Sequence, residues 1–312
     1  MDTSRPRPRP LAVAALVLCL ASATAYAASR PRILVTNDDG IEAPGLLALY
    51  AALAPLGEVT VAAPSENQSG VSHGITHSDP IFVREIAPLV NVPGAASPSG
   101  SAGPSDPAGP SGPARPPKPW YRISAKPATC VRLALATLLE ERPDIVVSGI
   151  NAGDNAGLSF HVSGTVGAAR EAAFDGIPAI AVSLAASKSM DYARAADATA
   201  KIVAEVLRRG LPRGTFLSVN VPAGEIRGVK VVPHGTVPGT QTYERRQSPS
   251  GRTYYWSVWK APVDASADTD VGALAQGFVT VTPLTIDANV PAVRDQLRGW
   301  DLAPAGAPAA PR

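Results

Sequence analysis

Ile33-Leu34-Val35-Thr36-Asn37-Asp38-Asp39-Gly40 is the stretch that decides how this chain folds. Apolar, β-favouring residues run straight into Asn-Asp-Asp and a glycine, the pattern of a buried parallel strand that delivers carboxylates to the loop at its end. Open α/β sheets bind ligands at that edge, outside the carboxyl ends of their strands. Two adjacent aspartates repel each other and need a partner if either is buried. A divalent cation suits such crowded, hard oxygens. Read alone, the stretch also fits a solvated loop whose aspartate caps the next helix, so the rest of the chain has to decide.

Outward from it, Pro44 and Gly45 lead into an Ala/Leu-rich segment, Leu46 to Leu53, that predicts a helix ending near Pro55-Leu56-Gly57. Glu58 to Ala62 predicts the next strand, which completes a βαβ unit. The loop that follows, Ala63 to Ser72, opens on the same edge as the aspartates because consecutive parallel strands end on one side. Pro143 to Asn151 is another apolar run ending in a polar residue, followed by the glycine-rich Asn151-Ala152-Gly153-Asp154-Asn155-Ala156-Gly157. Ala179 to Ser183 and Phe216 to Asn220 predict further strands, and Tyr192 to Arg209 a long helix. A helical face with Val131, Leu135 and Leu138 runs from Thr129 to Glu141.

Three loops at one edge therefore supply oxygen donors: Asp38 and Asp39, then Ser69, then Asn151. Two carboxylates, a hydroxyl and an amide oxygen fit magnesium or manganese and leave positions open for water and substrate. His73, His77, His161 and His234 have no zinc-type spacing and read as surface or loop residues. Ser163-Gly164-Thr165 opens a helix with free N–H groups, hydroxyls and a glycine, either an ordinary cap or a cradle for phosphate. Beside a cation it makes a site for phosphoryl transfer.

The ends and one interior segment have a different composition. Arg5, Arg7 and Arg9, the apolar run Leu11 to Leu20 and Ala25-Tyr26-Ala27 lay out a secretory signal, with cleavage expected after Ala27. Leu16-Val17-Leu18-Cys19 resembles a lipid-attachment site only weakly, because bulky Leu18 stands where a small residue belongs. Losing residues 1 to 27 removes three arginines and Asp2 from 28 basic and 26 acidic residues, leaving 25 of each. A neutral chain has no basic field for polynucleotides or anionic membranes. It also leaves Cys130 without a disulfide partner. Pro88 to Pro119 is rich in proline, glycine, serine and alanine. Such a composition does not bury a core, and it reads as a disordered insertion between short strands at Ile81 to Glu85 and Trp120 to Ser124. In the last third, Gly228 to Pro233, Tyr243 to Arg246, Tyr254 to Trp259 and Phe278 to Pro283 read as antiparallel ribbons without intervening helices.

Ile33 to Ile41 with Ala43-Pro44-Gly45, Ala63-Pro64, Asn67-Gln68-Ser69-Gly70, Ser148-Gly149-Ile150-Asn151-Ala152-Gly153 with Asn155 and Gly157, and Ser163-Gly164-Thr165-Val166 together closely resemble the SurE family of survival phosphatases. The resemblance runs from Arg32 to about Asp287. It implies a Rossmann-like, three-layer α/β core with a mostly parallel sheet and a C-terminal antiparallel hairpin arm exchanged between subunits of a homodimer or homotetramer. The implied activity is a metal-dependent 5'-nucleotidase with one magnesium or manganese per subunit, and 3'-nucleotides and polyphosphate are the alternative substrates the resemblance leaves open. The family's metal ligands fall on Asp38, Asp39, Ser69 and Asn151, with Asp38 and Asp39 as the catalytic pair. Asn155, Ser163, Gly164 and Thr165 match its substrate-side loops. Ala125-Lys126-Pro127 departs from the family's usual Gly-Thr-Pro.

The organisation expected is a signal peptide at 1–27, a core at 28–225 carrying the insertion 88–119, a β-rich extension at 226–290 and a tail at 291–312. The leader predicts an exported, periplasmic protein, against the cytoplasmic location usual for the family. A receiver domain is the competing enzyme-free reading, but it needs an aspartate where this chain has Asn151. A nucleotide-binding protein without turnover is another.

Overall fold

Arg32–Thr36 forms strand β1, with Leu34 and Val35 fully buried, because it runs through the middle of the sheet. The computed structural model describes residues 30–90, 118–264, 266–300 and 302. The export segment 1–27, with Cys19, and most of the Pro88–Pro119 insertion lie outside the described residues. Among the described residues no helix is long and apolar enough to cross a membrane.

After β1, helix α1 (Pro44–Leu53) returns the chain to β2 (Glu58–Pro64), which pairs parallel with β1. Strands β3 (Val83–Ile86) and β4 (Trp120–Ile123), on either side of the insertion, pair antiparallel with each other, and β4 lies parallel beside β2. The insertion thus leaves and rejoins the sheet within one hairpin. Helix α2 (Pro127–Leu133) is shorter than the pattern predicts, because the chain widens into a π-turn over Ala134–Leu138. Strand β5 (Ile145–Ala152), helix α3 (Gly164–Phe174), β6 (Ala179–Leu184), α4 (Tyr192–Arg209) and β7 (Thr215–Val221) complete the alternating part.

The spatial order is β3-β4-β2-β1-β5-β6-β7, continued by two later strands. From β1 the chain winds toward β2, then crosses back to place β5 on the other side. The strand order therefore reverses between β1 and β5, and a crevice opens at such a switch point. Alternation along each strand builds a core on both faces. Ile33, Val35, Val147 and Val182 pack on the α1 and α4 side, and Leu34, Val146 and Ala181 on the α2 and α3 side. Each large aliphatic residue buried this way contributes about 1.5–3 kcal/mol. Cys130, in α2, is buried and free.

The last third corrects the reading of simple ribbons. Only β9 (Thr240–Gln247) and β10 (Thr253–Lys260) form a separate antiparallel hairpin. Strand β11 (Phe278–Thr285) joins the main sheet antiparallel to β7, and β8 (Gly228–Val231) closes the edge parallel to β11. A short helix, α5 (Asp270–Ala275), intervenes where none was expected, with Thr269 capping its first turn through Gly272 N. The reason is burial: Val279 to Thr282 are covered on both faces, so the Val/Thr alternation of β11 marks a central strand. Its six residues and Gly272 leave α5 too short to show helical periodicity. Pro291–Leu297, read as tail, forms helix α6, which buries none of its residues.

Candidate active site at the switch point

Asp38 leaves the end of β1 on the α3 side of the sheet and is almost completely buried, at 2% exposure. Its Oδ1 accepts a hydrogen bond from the Thr165 hydroxyl. Gly164 stands against the same carboxylate, where an added Cβ would lie 2.8 Å from Asp38 Oδ2. Thr165, predicted as a substrate-side residue, thus also fixes the rotamer of Asp38. Ser163 caps α3 by accepting from Val166 N at 3.2 Å. Burial raises the Asp38 carboxyl to about 6; the Thr165 hydrogen bond opposes that rise and the neighbouring Asp39 charge adds to it. Burial also raises Asp39.

Asp39 is half-buried and turned toward the next two loops. Its Oδ2 accepts from Ala152 N at 3.0 Å, which ties it to the residue after Asn151. Asn151 in turn donates Nδ2 to Gly153 O at 2.7 Å, leaving its Oδ1 as the free end. Asn67 links the third loop, donating Nδ2 to Asp39 Oδ1 at 3.4 Å and accepting Ser69 N on Oδ1 at 2.8 Å. Gln68 N donates to Asp38 O at 2.7 Å. Gly40, at φ +102°, lets the Glu66–Asn67 backbone close over it. The structure therefore gathers Asp38, Asp39, Ser69, Asn151, Gly164 and Thr165 at one place. Asn155 sits further along the edge, its N donating to Asn220 Oδ1 and its Nδ2 to Ser183 Oγ, both at 2.8 Å.

Several contributors lay outside the sequence reading. Asn67 was legible only as part of a motif. Tyr192, the first residue of α4, is close enough to Asp39 for that charge, after burial, to raise its phenol. His73 donates Nε2 to buried Glu171 at 2.7 Å, and Arg132 donates to the same carboxylate at 2.7 Å. This pair fastens the far end of the Ser69 loop to α3, where Gly167 leaves room for the Ser72 carbonyl. Lys126, at the departure from the usual Gly-Thr-Pro, donates Nζ to Ile75 O at 3.4 Å and supports the same loop. His161 and His234 pack around the Phe160 ring.

The donor set fits a hard divalent cation. Asp38 and Asp39 are adjacent carboxylates that form no ion pair among the described residues, and the loops that carry the Ser69 hydroxyl and the Asn151 amide are each hydrogen-bonded to Asp39. No group of three or more His, Cys, Asp or Glu gathers among the described residues, so a site rich in imidazole or thiolate is not on offer there.

A mostly parallel α/β sheet, with an acidic pair at its switch point and a capped helix aimed at one of those acids, defines a Rossmann-like protein built around an oxygen-donor ligand site. Comparison with known proteins agrees. The family described as Survival protein SurE matches residues 33–241. The chain is 39% identical over 272 residues to 5'-nucleotidase SurE of Moorella thermoacetica, covering 86% of this chain and 95% of that one. It is 40% identical over 279 residues to 5'-nucleotidase SurE of Rhodopirellula baltica, covering 88% and 100%. The crystal structure of SurE protein from Aquifex aeolicus superposes with a TM-score of 0.69 at 33% identity, covering 86% of this chain and 98% of that one. The chain belongs to the SurE family.

Proposed function

We propose that this chain is a metal-dependent 5'-nucleotidase, hydrolysing nucleoside monophosphates to nucleoside and phosphate. The observation that carries the reading is the Asp38–Asp39 pair, unpaired by any cationic side chain among the described residues, with Asp38 against the start of α3 and Asp39 against the Asn67 and Asn151 loops. Its relatives bear the name 5'-nucleotidase SurE, which supports the same activity.

Asp38, Asp39, Ser69 and Asn151 would hold one magnesium or manganese ion. When bound, that ion would supply charge neutralisation at the phosphoryl oxygens and acidity for a water. The chain's own groups do the rest. Thr165 and Gly164 hold Asp38 in a single rotamer, so its carboxylate is the group assigned to orienting the attacking water. Asn67 couples the Ser69 loop to Asp39, so the β1 and β2 loops move together. Ser163, Gly164 and Thr165 offer the start of α3 to the phosphate, and the Asn151–Gly157 loop, with Asn155 held in it by Ser183 and Asn220, is assigned to the substrate side. In the reaction water oxygen bonds phosphorus, the ester P–O bond breaks, and a proton passes to the nucleoside's 5'-oxygen.

The exposed hairpin supports assembly. Tyr243, Tyr255, Trp256 and Trp259 are more than half exposed on β9 and β10, an aromatic surface that belongs against another copy. Exchange of this arm between subunits is the arrangement we assign. The leader read from residues 1–27 assigns the protein to an exported, periplasmic location. The test is a phosphatase screen of the protein against nucleoside monophosphates with magnesium, manganese and other divalent cations. Phosphate release that requires a cation is expected. Release without added cation and in the presence of a chelator, or none with any nucleotide, would refute the reading.

A further inference from the structure

We propose that Asp270 is a positioning residue for the substrate-side loop, holding it to the root of the hairpin arm. The inference rests on the nucleotidase reading above and adds a residue remote from Asp38 to the machinery. Asp270, the first residue of α5, is a carboxylate at 1% exposure. Burying a charge is costly unless its hydration is replaced. Here backbone N–H groups replace it. Oδ2 accepts from Gly157 N at 2.9 Å; Oδ1 accepts from Gly235 N at 2.7 Å and from Val271 N at 2.8 Å. Bonds of this charge-assisted kind are about twice as strong as neutral ones.

The three donors belong to three different parts of the molecule. Gly157 ends the loop that carries Asn155 and begins the 3-10 turn Gly157–His161 leading to Ser163. Gly235 lies where the chain departs toward β9. Val271 is in α5 itself. Their backbones close tightly: a Cβ on Gly157 would stand 2.8 Å from Val271 Cγ2, and one on Gly235 would stand 3.1 Å from the same atom. Gly157 also adopts φ +56°, which favours glycine.

The loop needs such an anchor because space beside it is open. Asp154 and Ala156, on either side of Asn155, line a cavity of about 590 Å³ together with Val271 and Leu274 of α5 and Pro222 to Glu225 after β7. Asn155 is held by Asn220 and Ser183 on the sheet side. On the α5 side the hold is Asp270. Without the Gly157 bond, the end of the loop can relax into the cavity and carry Asn155 away from the substrate.

The division of labour between the two oxygens makes the proposal testable. In Asp270→Asn, the remaining carbonyl oxygen keeps the most bonds by facing Gly235 N and Val271 N. The amide NH2 then meets the Gly157 N–H, donor against donor, so the arm root stays held while the loop is released. The full chain would be compared as wild type, Asp270→Asn, Asn155→Ala and the double variant. The substrate is adenosine 5'-monophosphate with manganese, and thermal melting and light scattering are measured on the same samples. The expected result is a roughly tenfold rise in KM for Asp270→Asn, with kcat within about threefold of wild type and the oligomeric state unchanged. On the Asn155→Ala background the same substitution should raise KM no further, since the two act through one loop. An unmoved KM, a fall in kcat at constant KM, or additive effects in the double variant would each overturn the proposal. If Asp270→Asn does not fold, Gly157→Ala disturbs the same bond from the loop side and should raise KM likewise; an unchanged KM there also overturns it. An inactive wild type sinks the nucleotidase reading and this inference together, whereas an active wild type with an unmoved Asp270→Asn KM sinks this inference alone.

Discussion

Gly164→Ala should leave the fold standing and remove most of the activity. The new Cβ would lie 2.8 Å from both Cβ and Oδ2 of Asp38, whereas ordinary contact begins near 3.4 Å. The overlap is therefore about 0.6 Å against a side chain that is itself walled in by Thr165. Gly164 is not among the residues with positive φ, so alanine meets no backbone penalty there. Replacing glycine in a helix gains up to about 1 kcal/mol, and overpacking costs about 1–3 kcal/mol. The net destabilisation is then about 0–3 kcal/mol, which a domain of this size tolerates. The catalytic carboxylate, however, must move by several tenths of an ångström. Misplacements of about 1 Å cost on the order of 10²-fold in rate, so a loss of at least about tenfold in kcat/KM is expected here. The assay is steady-state nucleotide hydrolysis, with thermal melting on the same samples and calorimetric titration of manganese. A Gly164→Ala protein with kcat/KM within threefold of wild type would show that Gly164 does not pack on a working Asp38.

Other outcomes follow from the same geometry. Asp39→Asn should lower kcat by at least about 100-fold while the melting temperature of the cation-free protein moves little, because relief of the like-charge repulsion beside Asp38 offsets the one N–H bond, from Ala152 or Asn67, that the amide no longer accepts; hydrolysis at the wild-type rate would refute the metal assignment. Burial pushes the Glu171 carboxyl up, but hydrogen bonds from His73 and Arg132 outweigh it and hold Glu171 below its ordinary 4.5. A depressed carboxyl stabilises the fold above its unfolded value and loses that contribution as pH falls through the folded one. Glu171→Gln should therefore lower Tm at pH 7, with the gap to wild type closing as melts are taken below about 4.5; a gap constant from pH 7 to 3 would contradict the pairing. Thr240 and Lys260 are directly paired across the hairpin, so a short Gly-Ser turn can replace the residues between them. Light scattering should then find a monomer where the full chain is a dimer or larger, and a full chain already monomeric at micromolar concentration would refute arm exchange.

The central strands and the acidic pair were legible in the sequence for a physical reason. A parallel strand covered on both faces must be apolar along its length, so Ile33 to Val35 and Ile145 to Val147 announce themselves, and the polar residues that follow mark the edge where they end. Hard oxygen donors on three successive loops of that kind are likewise visible in one dimension. What the tertiary structure decided are contacts between residues far apart in the chain. The Val/Thr alternation of β11 does not say which strand it pairs with, and pairing with β7 and β8 makes it interior. Nothing local to Gly164 predicts that its missing side chain makes room for Asp38, 126 positions earlier. Neither Glu171 nor Asp270 stands out in the sequence, yet both are buried, one facing His73 and Arg132 and the other backbone N–H groups from Gly157 and Gly235. Periodicity reports which side of an element is covered, but the group that covers it is chosen only when the chain closes on itself.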